Sequence, residues 1–121
     1  MSRSRATVLL VEDDADIRDA VDVVLRDQGY RVIPAIDGQV ALEMLMAGAK
    51  PHVILLDLMM PRVNGFEFLQ RAREILNLAR IPVIVVSANQ GYDPEDLRVF
   101  EVVRKPLEID RLIDAIERAA A

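Results

Sequence analysis

The chain has 121 residues, one histidine and no cysteine, and 52% of its residues are hydrophobic. This length fits one domain over residues 1–121. The apolar content is high enough to form a core, which excludes a disordered chain, and the absence of cysteine excludes disulfides and thiolate metal sites. The net charge of −5 arises in residues 12–27, which hold seven acids and two arginines, while the basic residues elsewhere form no run, so we expect no direct nucleic-acid binding.

Short apolar runs alternate with segments of helical periodicity along the chain. In chain order, we predict strand Thr7–Val11 and a helix around Ile17–Leu25, strand Tyr30–Ile36 and a helix around Val40–Met46, then strand Val53–Leu56 and a helix around Phe66–Leu76. Strand Ile81–Val86, a short or irregular helix within 91–100, strand Phe100–Val103 and a helix at Leu107–Ala120 complete the pattern. No apolar run approaches the ~20 residues of a membrane span, and the amino terminus lacks a signal-peptide core, so we expect a cytoplasmic protein without membrane attachment.

This alternation predicts an α/β fold with a five-stranded parallel sheet and helices on both faces. Three of the predicted strands are unbroken apolar runs, as is typical of strands buried on both sides. The last helix is expected to turn one apolar face inward, formed by Ile109, Leu112, Ile113 and Ile116.

Polar residues follow the predicted strands at the points where they end. Glu12 and Asp13 follow the first, Asp57 the third, Ser87 the fourth and Lys105 the fifth. Ligands bind beyond the carboxyl ends of strands in open parallel sheets, so we expect these side chains to meet at one edge.

Carboxylates packed together repel each other, and a bound cation removes that cost. An all-oxygen site suits a hard ion such as Mg²⁺, which prefers one or two carboxylates together with phosphate oxygens. One carboxylate is then left to act as a nucleophile and form an aspartyl phosphate. Lys105 and Ser87 would contact the phosphoryl oxygens.

Four sequence motifs carry a resemblance to a known family. They are VLLVEDD at Val8–Asp14, LLDLMMP at Leu55–Pro61 with Gly65 after it, VVSA at Val85–Ala88, and Lys105–Pro106. Together and in this order, the chain resembles a response-regulator receiver domain of two-component signalling, of the chemotaxis-receiver kind, over nearly its whole length. The resemblance implies a doubly wound (βα)5 flavodoxin-like sandwich.

The resemblance also implies a role for each site residue. Asp57 would be the phospho-acceptor, Ser87 the switch hydroxyl and Lys105 the partner of the phosphate. Mg²⁺ would be held by Glu12, Asp13, Asp57 and the backbone carbonyl of Met59. The Lys105–Pro106 peptide bond is a candidate for the cis form, which is typical of the family.

The implied partners are a sensor histidine kinase or phosphotransfer protein, and a downstream protein or fused output domain. A phosphorylation-dependent dimer is a further expectation. The domain would catalyse its own phosphorylation and dephosphorylation without being a turnover enzyme. The chain is either a stand-alone receiver or one excised from a longer protein.

Two departures from the family motivate an alternative, a phosphorylation-independent interaction module. Val102 stands where the family usually has an aromatic residue, and the stretch from Ser87 to Lys105 is short. A phosphohydrolase is disfavoured because Met59 stands where such enzymes place a second Asp.

Several candidate residues also have ordinary structural interpretations. Asp14 is better explained as the N-cap of the first helix, and Asp16 and Asp19 as a solvated face near the helix start. His52 is expected to be structural or exposed at the opposite edge of the sheet. Ser87 taken alone would be an ordinary strand-end hydroxyl.

Overall fold

The computed structural model describes residues 6–58, 64–75, 80–88 and 92–121. Its five strands are β1 Thr7–Val11, β2 Arg31–Ala35, β3 Val53–Asp57, β4 Val83–Ser87 and β5 Glu101–Arg104. The helices are α1 Ala15–Asp27, α2 Gly38–Met46, α3 Gly65–Ile75, α4 Pro94–Leu97 and α5 Ile109–Ala120. The predicted alternation of strands and helices is confirmed. No helix in these ranges is long and apolar enough to cross a bilayer.

All five strands are parallel, in the order β2-β1-β3-β4-β5. The chain first moves outward from β1 to β2 and then crosses back to β3. The carboxyl ends of β1 and β3 are therefore neighbours at the point where the strand order reverses, which is where open α/β sheets bind ligands.

The sheet is covered on both faces, as the apolar runs predicted. Leu9 and Val11 belong to one core with residues of α2 and α3, while Val8 and Leu10 belong to a second core with residues of α1 and α5. This division follows from the alternation of side chains along a strand. Full burial of one large apolar side chain contributes about 1.5–3 kcal/mol, so the central strands anchor both layers.

Some boundaries differ from the predicted ones. Strand β3 extends to Asp57, which is in register with Val86 of β4, because the backbone continues to pair after the apolar run ends. The prediction that Ile109 points inward is wrong, since its side chain is 41% exposed. Ile109 is the first residue of α5 and lies with Ile17 and Ala20 of α1 along a groove that is open to solvent. Leu112 and Ile116 are fully buried.

Helix α4 is a single turn, which confirms the prediction of a short fourth helix. The Asp93 carboxylate accepts a hydrogen bond from the Glu95 backbone N–H at 2.8 Å, and Pro94 supplies a favourable first residue. The turn ends at Arg98, whose φ of 56° lies in the left-handed region. A residue in that region cannot continue a right-handed helix.

Candidate functional site

Three carboxylates meet at the carboxyl ends of β1 and β3. Asp57 is the last residue of β3, and Glu12 and Asp13 directly follow β1. One oxygen of each side chain lies within 4.8 Å of the others. Glu12 and Asp57 are only 4% and 5% exposed, while Asp13 is open to solvent. The pairing of β1 with β3 thus brings together residues 45 positions apart in the sequence.

The acidic turn after β1 is held by several hydrogen bonds. The Glu12 backbone N–H donates to the Ala35 carbonyl at 3.1 Å, and the Glu12 carboxylate accepts from the Asp14 N–H at 3.2 Å. The Arg18 guanidinium donates to the Glu12 carbonyl at 2.9 Å and to the Asp13 carbonyl at 3.4 Å. Sequence reasoning missed this role of Arg18, although a basic residue inside the acidic stretch was a usable signal.

Burial, and after it a hydrogen bond with Asp57, raise the pKa of the Glu12 carboxyl from 4.5 to about 8. The hydrogen bond from the Asp14 N–H, and after it the Lys105 ammonium, oppose the rise. Without a cation, Glu12 therefore keeps its proton near neutral pH. This is the behaviour expected of a buried carboxyl group whose neutral form can hydrogen-bond to a neighbouring carboxylate.

Lys105 and Ser87 lie at the same edge of the sheet. The Lys105 Nζ is 3.4 Å from Asp57 Oδ2, and its backbone N–H donates to the Ser87 carbonyl at 2.9 Å. Ser87 is the last residue of β4 and is 1% exposed. The structure therefore brings Glu12, Asp13, Asp57 and Lys105 together, with Ser87 at the end of the strand beside Asp57.

Comparison with known proteins gives the family. Residues 8–117 match the family described as the response regulator receiver domain. The chain is 36% identical over 113 residues to the transcriptional regulatory protein DltR of Streptococcus agalactiae, covering 90% of this chain and 49% of that protein. It is 38% identical over 115 residues to the response regulator RR06 of Streptococcus pneumoniae, covering 91% and 51%.

The chain belongs to the response-regulator receiver family. Among solved structures, the chemotaxis protein CheY4 of Vibrio cholerae superposes with a TM-score of 0.86 at 28% identity, covering 95% of this chain and 98% of that one. The family and the fold that the motifs predicted are thus confirmed. This receiver spans about half the length of the two curated relatives named above.

The donor set of the receiver fits Mg²⁺. It consists of carboxylate oxygens, as a hard cation prefers, and two of the three carboxylates are buried against each other, so a cation relieves their repulsion. In the part of the chain that the structure describes, Glu12, Asp13 and Asp57 form the one group of three side chains close enough to share an ion. Met59, the fourth predicted ligand, lies outside the described residues.

The structural interpretations of the other polar residues agree with their surroundings. Asp14 caps α1, since its carboxylate accepts from the Ile17 N–H at 3.1 Å, while Asp16 and Asp19 are exposed. His52 is exposed, and its ring Nδ1 accepts from the Thr7 N–H at 3.0 Å, at the start of β1. It therefore lies at the opposite end of the sheet from the acidic cluster.

The departures from the family pattern are visible in the receiver. Val102 is half-buried and packs against the core on the α2–α3 face, as do Tyr92 and Leu97. The Tyr92 ring makes an edge contact with the Phe66 ring of α3, with 5.6 Å between centroids. The Lys105–Pro106 bond is cis, as expected.

Proposed function

We propose that residues 1–121 form a single receiver domain. We further propose that its Asp57 accepts a phosphoryl group from a sensor histidine kinase or a phosphotransfer protein. The supporting observation is the position of Asp57: a buried strand-end carboxylate with two more carboxylates within 4.8 Å and the Lys105 ammonium at 3.4 Å. An aspartate with a purely structural role at a strand end would need neither a cation site nor a lysine beside it. The arrangement therefore supports phosphoryl transfer to Asp57.

In the proposed reaction, an oxygen of the Asp57 carboxylate attacks phosphorus, and the bond from phosphorus to the donor's imidazole nitrogen breaks. Lys105 then stabilises the negative charge that spreads over the phosphoryl oxygens, and the Ser87 hydroxyl donates a hydrogen bond to one of them. Glu12, Asp13, Asp57 and the Met59 carbonyl would hold Mg²⁺, which supplies positive charge to phosphate oxygens. Attack by water on the same phosphorus breaks its bond to the Asp57 oxygen, which releases inorganic phosphate and returns the free carboxylate. The domain would thus catalyse its own dephosphorylation without turning over a separate substrate.

The phosphoryl group adds charge and acceptor oxygens at the sheet edge. Ser87 and Lys105 would be drawn toward it, and the segments that follow them would shift. We infer that this shift changes a surface recognised by a downstream protein or a fused output domain, or by a second copy of the receiver. The proteins DltR and RR06 are about twice as long as this chain, which supports a fused output domain. The proposed location is the cytoplasm.

The phosphorylation-independent alternative is not favoured. Its motivation was the replacement at Val102 and the short segment after Ser87, and neither feature removes a residue from the acidic cluster. A module that worked without phosphorylation would have no need for three converging carboxylates and a lysine.

Incubation with acetyl phosphate and Mg²⁺, followed by intact-mass analysis, tests the proposal. We expect one phosphoryl adduct in the wild type and in Asp16→Asn, a control that removes an exposed carboxylate near the same edge, and none in Asp57→Asn. An equal adduct in Asp57→Asn would exclude Asp57 as acceptor. If acetyl phosphate gives no adduct, the same assay with a phosphorylated histidine kinase decides.

A further inference from the structure

Helix α4 has few contacts of its own. It is one turn long, and none of its four residues is buried. A single turn of helix is not stable by itself in water. Leu97 and Val99 are half-buried against the core. The position of α4 therefore depends on contacts with the neighbouring elements.

Arg73, in the last turn of α3, contacts the carboxyl end of α4. Its guanidinium donates to the Leu97 carbonyl at 2.5 Å and to the Arg98 carbonyl at 2.8 Å. Carbonyls at a helix end have no partner within the helix, and both bonds come from Nη2 of Arg73, whose two N–H groups can serve two acceptors at once. Arg73 therefore caps a helix that belongs to the next βα unit of the chain.

The opposite end of α4 is also joined to α3. Tyr92 directly precedes the N-cap residue Asp93, and its ring contacts the ring of Phe66 in the first turn of α3. Two contacts of different chemistry, one aromatic and one between a charged group and carbonyls, therefore connect the two helices.

The surroundings of Arg73 act against the charge on its guanidinium. Burial and the nearby Arg98 guanidinium lower the pKa of Arg73, because both disfavour the charged form. The two hydrogen bonds to backbone carbonyls favour the charged form and act against both effects.

Both helices are connected to the acidic site. The Gly65 N–H at the start of α3 donates to the carbonyl of Leu58, which follows Asp57. Helix α4 lies in the segment between Ser87 and Lys105. The two segments that leave the site are thus joined to each other at Arg73.

We propose that Arg73 is a latch between α3 and α4, so that a change at Asp57 and Ser87 moves the two helices as one unit. The coupling half of this proposal rests on the proposed phosphorylation of Asp57, whereas the latch itself does not. Arg73 acts as a positioning residue and has no contact with the reacting groups.

Hydrogen exchange of the unphosphorylated protein tests the latch. The amides of Leu97, Arg98 and Val99 donate within the α4 turn. In Arg73→Ala we expect exchange across 94–100 to be about ten-fold faster relative to β1, as for the loss of a charged hydrogen-bond donor. Using β1 as an internal reference removes any effect of a general loss of stability.

Arg71→Ala is the matched control, since Arg71 lies on the same helix and makes one exposed ion pair with Glu67 at 3.8 Å. We expect wild-type exchange of α4 in this variant. Arg73→Lys should restore part of the protection, because an ammonium keeps the charge and its N–H donors but lacks the fixed planar geometry of the guanidinium. A ratio of α4 to β1 exchange in Arg73→Ala equal to that of the wild type would overturn the latch.

The coupling is tested by the same measurement in excess acetyl phosphate and Mg²⁺. In the wild type, we expect exchange to change together in α4 and in the last turn of α3, and in Arg73→Ala only in α4. An α3 response of equal size in Arg73→Ala, or no α3 response in the phosphorylated wild type, would overturn the coupling. If mass analysis finds no adduct with acetyl phosphate or with a phosphorylated histidine kinase, the proposed phosphorylation fails, and the first measurement still decides the latch.

Discussion

Gly65 packs so closely against Asp57 and Leu58 that a single added methyl group should disturb both the stability of the protein and the proposed phosphoryl transfer. A Cβ at this position would lie 2.6 Å from the Leu58 Cα, 2.9 Å from the Leu58 Cδ2 and 3.0 Å from the Asp57 carbonyl oxygen. Two of these three atoms belong to the backbone and cannot move aside by rotating a side chain. In Gly65→Ala the start of α3 or the chain after Asp57 must therefore shift.

Forcing an extra carbon into a packed site costs about 1–3 kcal/mol. For a domain of this size, 1 kcal/mol lowers Tm by about 3–5 °C, so we expect Gly65→Ala to melt about 3–15 °C below the wild type. Because the contact involves Asp57 and its neighbour, we also expect phosphoryl uptake from acetyl phosphate to be slower by about ten-fold or more.

Gly48→Ala is the matched control. Gly48 has a φ of +104°, and a Cβ added there would meet no atom within 4 Å, so its substitution costs about 1–2 kcal/mol through backbone strain alone. It lies after α2, and we expect its phosphoryl uptake to equal that of the wild type. A wild-type Tm for Gly65→Ala, or equal uptake rates in the two variants, would refute the reasoning.

Three further predictions concern the acidic turn. In EDTA, the free energy of unfolding should fall as pH rises from about 4.5 to 8, by up to about 1.4 kcal/mol per pH unit. The reason is that folded Glu12 holds a proton that the unfolded chain releases. Urea titrations at several pH values measure this pH dependence, and Glu12→Gln should weaken it. Mg²⁺ binding at pH 7 should release up to one proton from Glu12 and tighten as pH rises, which calorimetry in buffers of different ionisation enthalpy detects. Asp14→Ala should lose about 1 kcal/mol through the lost N-cap, with exposed Asp16→Ala as its control in the same urea assay.

Each of these predictions has a definite contrary result. A pH dependence between pH 5 and 8 in EDTA that is the same in Glu12→Gln and in the wild type would show that Glu12 holds no extra proton in the folded protein. Magnesium heats that do not depend on the buffer would show that no proton leaves on binding. Equal unfolding free energies for Asp14→Ala and Asp16→Ala would show that the Asp14 hydrogen bond contributes nothing measurable.

The apolar pattern of the sequence determined the layers of the fold. Runs such as Val53–Leu56 contain no polar residues, which is typical of a strand buried on both faces of a sheet. The helices predicted between the runs are the crossovers that join parallel strands. The same pattern indicated which residues stand at strand ends, so Glu12, Asp57 and Lys105 could be selected before any distance was known. The family motifs then supplied their expected roles.

The tertiary structure decided what depends on contacts between distant segments. The approach of Glu12 to Asp57 requires β1 to pair with β3, and the raised pKa of Glu12 follows from burial that no local pattern encodes. The exposure of Ile109 depends on where α5 meets the sheet, and periodicity alone placed it wrongly. The contact of Arg73 with α4 likewise joins residues 24 and 25 positions apart. The sequence by itself thus determined the elements and their chemistry, while packing decided which groups touch and how strongly they perturb one another, because burial and electrostatic coupling are properties of the assembled chain.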